Sequence, residues 1–219
     1  MFLHTHPYPP FLFPEAEKLI VGTLPPPRFT TGELKEGDVH FCYGSRDGQL
    51  WPILDRLFDL QLEYTDTARA VEQRQHFLRS RRIGVCDIVE SAQREKIDAT
   101  DLGMQSVRFR DILGVLEEYP EVHTLLFTGG NSKNGPEYFM RKVLKAASIE
   151  VESLDEKVPR QNRFQLPSSR RWIKTVSLTA PSGSANRAVG SMAEYKKRKA
   201  ADPQYTTMDF REDQYRPFF

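Results

Sequence analysis

Two carboxylates and one small-residue loop carry most of the chemistry that can be read from this chain. Asp87 sits inside the otherwise apolar run Ile83 to Val89, IGVCDIV. A carboxylate there must find hydrogen bonds or a raised pKa, which suits either an active-site group or a buried partner of an arginine. Asp47 lies in the stretch Tyr43 to Gln49, YGSRDGQ, eight residues after Val39. Its carboxylate can polarise a water or balance a developing positive charge, and the plain alternative is an Asp-Gly turn. The loop Ala180 to Asn186, APSGSAN, offers backbone N–H groups and hydroxyls suited to an oxyanion, with Ser184 or Asn186 as helix caps in the structural alternative.

Other chemistries find less support. Gly129, Gly130, Asn131, Ser132 and Lys133 form a glycine-rich loop without the Gly-Lys-Ser/Thr order of a nucleotide-binding P-loop. The five histidines show no metal-ligand spacing, and His4 and His6 read as part of an N-terminal arm. Two cysteines, Cys42 and Cys86, are too few for a four-thiolate zinc or iron–sulfur centre and read as reduced, packed thiols. The expectation is no metal and no cofactor.

Composition bounds the rest. With 39% hydrophobic and 28% charged residues over 219 positions, the chain can build a core, and a single domain is expected. Thirty-one basic against thirty acidic residues leave a net charge of +1, so a polyanion would have to be met by a local patch. The start, MFLHTHPYPP, lacks the pattern of a signal peptide and no apolar run reaches membrane-spanning length, so a cytoplasmic protein and no membrane partner are expected.

The elements that must position these residues follow from pattern. Four apolar runs, Lys18 to Leu24, Ile83 to Val89, Val122 to Phe127 and Trp172 to Leu178, read as buried strands, the first stopped by Pro25, Pro26 and Pro27. Helical spacing marks Trp51 to Leu60, Val107 to Tyr119, Pro136 to Ala147 and a segment reaching Lys199. Ile149 to Leu154 reads as a short strand, Arg69 to Arg82 as a basic polar segment and Lys157 to Arg171 as a surface loop. Alternating strands and helices predict an α/β fold, three layers α/β/α around a four-stranded, mainly parallel sheet. In such sheets ligands bind beyond the carboxyl ends of the strands, so the loops after each strand should share one rim.

Three segments, in order, resemble the uracil-DNA glycosylase superfamily, closest to its mismatch-specific and hypoxanthine-type branches. LIVGTLPPPRF, Leu19 to Phe29, is similar to the family's strand and Gly-x-x-Pro loop; FCYGSRDGQLWPIL, Phe41 to Leu54, to its base-stacking aromatic followed by a tryptophan that opens a helix; LTAPSGSANR, Leu178 to Arg187, to its DNA-gripping Pro-Ser loop. The resemblance implies an enzyme that flips a damaged or modified base out of DNA and hydrolyses its N-glycosidic bond in base excision repair, as a monomer without cofactor. It implies a base pocket made by Gly22, Thr23, Leu24, Pro25, Tyr43, Gln49 and Asp87, with Tyr43 stacking on the base and Phe41 the competing aromatic. It implies DNA contacts from Pro181, Ser182, Gly183, Ser184, Asn186 and Arg187. Leu24 and Gly48 stand where the two branches place an asparagine, which leaves Asp47 as the expected catalytic group. Arg79, Arg81, Arg82, Arg163, Arg170 and Arg171 would add an electrostatic patch if they lie near the same rim. The alternatives are a lesion-binding protein that has lost catalysis and a defence glycosylase acting on modified phage DNA.

Overall fold

The computed structural model describes residues 1–219. Its frame is a six-stranded sheet in the order β3-β2-β6-β9-β8-β7, formed by β2 (Lys18–Val21), β3 (Ile83–Val85), β6 (Thr124–Phe127), β7 (Val151–Asp155), β8 (Arg160–Gln165) and β9 (Trp172–Ser177). The four strands read from the sequence are the four that run parallel, with Ile20 opposite Val85 on one side and Leu126 on the other. The sheet is wider than expected because β7 and β8 add an antiparallel hairpin beside β9.

Residues 160–165 therefore form a strand, not a surface loop. Only Asn162 and Phe164 of that strand are buried, so the sequence there is mostly polar and gives no apolar run to recognise. A second sheet, β1-β4-β5, stands beside the first: β1 (Phe2–Thr5) and β5 (Gln105–Phe109) flank β4 (Val89–Arg94), all antiparallel. The histidine arm is thus a strand, and the helix expected from Val107 begins only after β5. The chain leaves β3 at Cys86, Asp87 and Ile88 to enter β4, so Asp87 lies past a strand end and not within one.

Side-chain alternation divides the core between two faces. Leu19, Val21, Leu125 and Phe127 point to one face and Ile20, Leu126, Val85 and Val176 to the other, as the two-residue period of a strand requires. The first face is covered by α4 (Ile112–Glu118), α5 (Pro136–Ala146) and the second sheet. On the second lie α2 (Leu50–Phe58), α3 (Ala68–Ser80) and α8 (Thr207–Tyr215). Three short helices complete the chain: α1 (Arg28–Thr31) after the prolines, and α6 (Asn186–Ser191) and α7 (Ala193–Ala201) before α8.

Local chemistry explains the boundaries that matter for the cleft. In α2, Leu50, Trp51, Ile53, Leu54 and Leu57 make one buried face, while Pro52 fits the first turn, where no backbone donor is needed. Thr67 caps α3 by accepting from the Ala70 N–H. Periodicity does not show that helix, because Arg74 occupies an interior position of its buried face. Its guanidinium lies between the rings of Trp51 and Tyr64 and donates to the Glu63 and Ala70 carbonyls.

Candidate functional site

A cleft of about 720 Å³ opens where the parallel strands end. The chain segments following β2, β3, β6 and β9 all line it, as do α2's approach segment and the end of the histidine arm. It holds every expected base-pocket residue except Gly22, which is buried directly beneath it, and also Pro181, Ser182, Gly183 and Ser184.

Asp87 organises the floor. Its Oδ1 accepts from the Gly22 backbone N–H and from the Tyr43 hydroxyl, both at 2.6 Å, and its Oδ2 from His6 Nε2 at 2.9 Å. Three donors from three segments hold one buried carboxylate, which offsets the cost of taking it from water. The other nitrogen of His6 lies 3.0 Å from the Tyr8 carbonyl oxygen, fixing the ring from behind. The Tyr43 hydroxyl also lies 3.3 Å from Thr128 Oγ1. Burial, then the charge and hydrogen bond of Asp87, push the Tyr43 pKa well above the ordinary value, so the phenol keeps its proton and donates. No side chain fits at position 22, where an added Cβ would stand 2.4 Å from the Tyr43 hydroxyl.

Tyr43 therefore presents a ring to the cleft while its hydroxyl is tied below. Its backbone is left-handed, with φ of 59°, and the turn is completed by Gly44, whose Cβ would meet the Val39 carbonyl oxygen at 1.9 Å. Phe41, the competing aromatic, is buried against Phe11 and Trp51 and is not part of the cleft lining. Cys42 and Cys86 are buried and free, and burial pushes the Cys86 thiol up to about 12, so packing describes both better than reactivity does.

Asp47 stands at the mouth. Its side chain is 68% exposed and its Oδ2 is 3.2 Å from Arg28 Nη2. Arg28 is itself anchored by Asp38, which receives two of its donors and the Lys35 and Arg46 N–H groups. Next along the chain, the Gln49 N–H donates to the Pro181 carbonyl at 2.8 Å and Gly48 bridges Ser182, stitching the Tyr43 segment to the Ser-rich loop. The Gln49 side-chain Oε1 is buried without a partner. Leu24 packs on the apolar core of the first face, leaving no polar group at its own position.

A further wall comes from the loop between β4 and β5. Ala99, Thr100, Asp101 and Leu102 line the cleft there. Thr23 Oγ1 donates to Asp101 Oδ1 at 2.7 Å, and Asn134 Nδ2 donates to the carbonyls of Asp101 and Met104. Burial raises the Asp101 pKa, against the opposing effects of the Thr23 hydrogen bond and the charge of Arg94. His6 and Asp101 are the two groups the sequence did not mark. His4 and His6 on alternate positions of a short arm were the available hint of a strand carrying His6 to one face; nothing local announces Asp101.

Of the expected DNA contacts, Ser182 and Ser184 pair through their hydroxyls at 3.0 Å at the cleft edge, and Arg187 is exposed just beyond. Asn186 is committed elsewhere, accepting from Arg211 Nη1 and the Thr207 hydroxyl. Neither Ser184 nor Asn186 caps α6, whose cap position is Ala185. The expected arginine patch does not gather at this rim. Arg82 and Arg171 immediately precede β3 and β9, at the end of the sheet opposite the cleft, and Arg171 donates to the Leu116, Pro120 and Val122 carbonyls. Arg79 lies over Phe11 and Phe13, Arg81 over Phe58, and Arg163 pairs with Glu152. These arginines pack and bridge instead.

No group of three or more His, Cys, Asp or Glu side chains is placed to hold a metal ion, and no helix is long and apolar enough to cross a membrane. No family model and no curated protein matches the chain. Among solved structures, it is similar to the solution NMR structure of a protein from Methanosarcina acetivorans described as a "putative Uracil DNA glycosylase", with a TM-score of 0.54 and 17% identity over 96% of this chain and 99% of that one. At that identity the likeness concerns the backbone alone: the chain shares the fold of that protein, a mixed α/β fold around a mostly parallel sheet.

Proposed function

We propose that this protein is a DNA glycosylase that hydrolyses the N-glycosidic bond of a deaminated or otherwise modified base, such as uracil or hypoxanthine, in base excision repair. The observation that carries the reading is the convergence of residues from the three family-like segments, Thr23, Leu24 and Pro25, Tyr43 and Gln49, and Pro181 to Ser184, on one cleft at the carboxyl ends of parallel strands. The shared fold with the Methanosarcina protein supports it.

In this reading the flipped base enters the cleft and stacks on the Tyr43 ring, while Thr23, Leu24, Pro25 and Gln49 frame it above the buried Gly22. Asp87 holds the floor rather than reading the base, since three donors already occupy it. Pro181, Ser182, Gly183 and Ser184 grip phosphates at the cleft edge and Arg187 adds charge. Asp47, at the mouth, is within reach of solvent and of the entering strand.

The test is incubation with single- and double-stranded oligonucleotides carrying uracil, hypoxanthine, xanthine or modified cytosines, then alkali to cut at abasic sites. Strand cleavage on at least one substrate is expected. A second reading, lesion binding without excision, draws on the apolar packing of Leu24 and the outward pairing of Asp47 with Arg28. Its signature is retained affinity with no base released from any substrate.

A further inference from the structure

The geometry points to Asp101, on the loop between β4 and β5, as the carboxylate that activates the attacking water. This rests on the glycosylase reading and deepens it by locating the group that Leu24 and Gly48 do not supply.

Three carboxylates line the cleft, and their surroundings differ. Asp87 accepts from Gly22, Tyr43 and His6, so its oxygens are largely spoken for. Asp47 is 68% exposed and faces Arg28, so it stands in bulk water at the mouth and is already paired with a cation. Asp101 is half-buried, and only its Oδ1 is engaged, by the Thr23 hydroxyl at 2.7 Å. Its Oδ2 has no protein donor, and the residue lines the cleft. Thr23 is the residue before Leu24, so the carboxylate of a distant loop arrives beside the position where the first family-like segment lacks a polar side chain.

Asp101 is also held still. Arg94, buried on β4, donates to the Thr100 carbonyl at 2.6 Å, and Asn134 donates to the carbonyls of Asp101 and Met104 at 3.0 and 3.1 Å. Fixing a base in place before reaction removes an ordering cost from the barrier. The titratable groups around it are Arg94 on β4 with His4 behind it, Asp98 on the same loop, Lys133 from the segment after β6, and Asp87 with His6 and Tyr43 in the same cleft. Burial raises the pKa of Asp101 while the Thr23 hydroxyl and Arg94 oppose the rise, which makes it a stronger base than an exposed aspartate.

The step balances without a cofactor. Asp101 Oδ2 accepts a proton from water as the water oxygen bonds to C1′ of the sugar. The C1′–N bond breaks and its electron pair leaves with the base. The proton then passes from Asp101 to the departing base or to solvent.

The experiment uses the full chain and the oligonucleotide that the wild type cleaves fastest in the panel above, under single-turnover conditions. Asp101→Asn keeps an acceptor for Thr23 and is expected to lower base release by about a hundredfold or more, the scale of general-base catalysis, with DNA affinity within about threefold of wild type. A second measurement does not depend on that variant: the acid limb of the wild-type pH–rate profile should lie above the ordinary aspartate value of 3.8 and move further up in Thr23→Val, which deletes the hydrogen bond that favours the ionised form. A rate in Asp101→Asn within tenfold of wild type, or an acid limb unmoved in Thr23→Val, overturns the assignment. Absence of release by the wild type on every substrate overturns the glycosylase reading itself and is distinguishable from both.

Discussion

The Tyr43 hydroxyl donates to Asp87 Oδ1 at 2.6 Å, joining residues 44 positions apart and leaving the ring, not the hydroxyl, as the face available to a ligand. Two variants separate those roles. Tyr43→Phe removes only the buried bond and should cost about 1–3 kcal/mol in urea unfolding while sparing affinity for lesion DNA. Tyr43→Ala should also lose base stacking, about 1–3 kcal/mol of binding. Equal affinity of Tyr43→Ala and wild type for a lesion-bearing oligonucleotide would remove the stacking role.

Gly22→Ala tests the floor from below. The new methyl would stand 2.4 Å from the Tyr43 hydroxyl and 2.8 Å from Thr128 Oγ1, so Tyr43 must move. Stability should fall by about 1–3 kcal/mol, the usual cost of overpacking, and base release should fall more than DNA affinity. A variant as stable and as active as wild type would show that the floor is not packed as described.

Stability should depend on pH through His4. This residue is fully buried, with Arg94 Nε donating to its Nδ1 at 2.8 Å and no partner for its Nε2. Burial, then the charges of Arg94 and His6, lower its pKa from 6.5 to about 4. The neutral ring is therefore the folded form. Its contribution is fully present above pH 6.5 and is lost as pH falls toward 4, by something on the order of 3 kcal/mol. His4→Gln should flatten this slope, read as urea midpoints at pH 7 and pH 4.5. An identical pH dependence in variant and wild type would count against the assignment.

Two arginines should behave oppositely toward DNA. Arg187, exposed beyond the Ser-rich loop, should on replacement by alanine weaken binding and reduce the salt slope by about 1. Arg171→Ala, at the far end of the sheet and bonded to three carbonyls, should lower stability and leave the salt slope unchanged. A shifted slope for Arg171→Ala would place DNA on the wrong side of the molecule.

The parallel half of the sheet was legible because its strands are short apolar runs, a pattern produced by burial on both faces. β8 escaped because a strand near the sheet margin needs only two buried side chains, Asn162 and Phe164. α3 escaped for a related reason: Arg74 fills a core position by stacking on Trp51 and Tyr64, and periodicity counts it as polar. In the cleft, the loops that follow strands could be anticipated from topology. The His6–Asp87 contact spans 81 residues and the Thr23–Asp101 contact 78, and tertiary pairings of that kind leave no local trace.

The link between Gln49 N–H and the Pro181 carbonyl, with Gly48 bridged to Ser182, has a thermodynamic consequence. In the proposed reading, the segment that meets the base and the segment that meets the backbone cannot shift independently. If filling the pocket tightens the phosphate grip by some factor, reciprocity requires that gripping the backbone favour filling the pocket by that same factor. Undamaged DNA, which offers phosphates but no base to the pocket, would then be held below full strength and released, and the two-residue seam would serve as the element that converts local recognition into residence time.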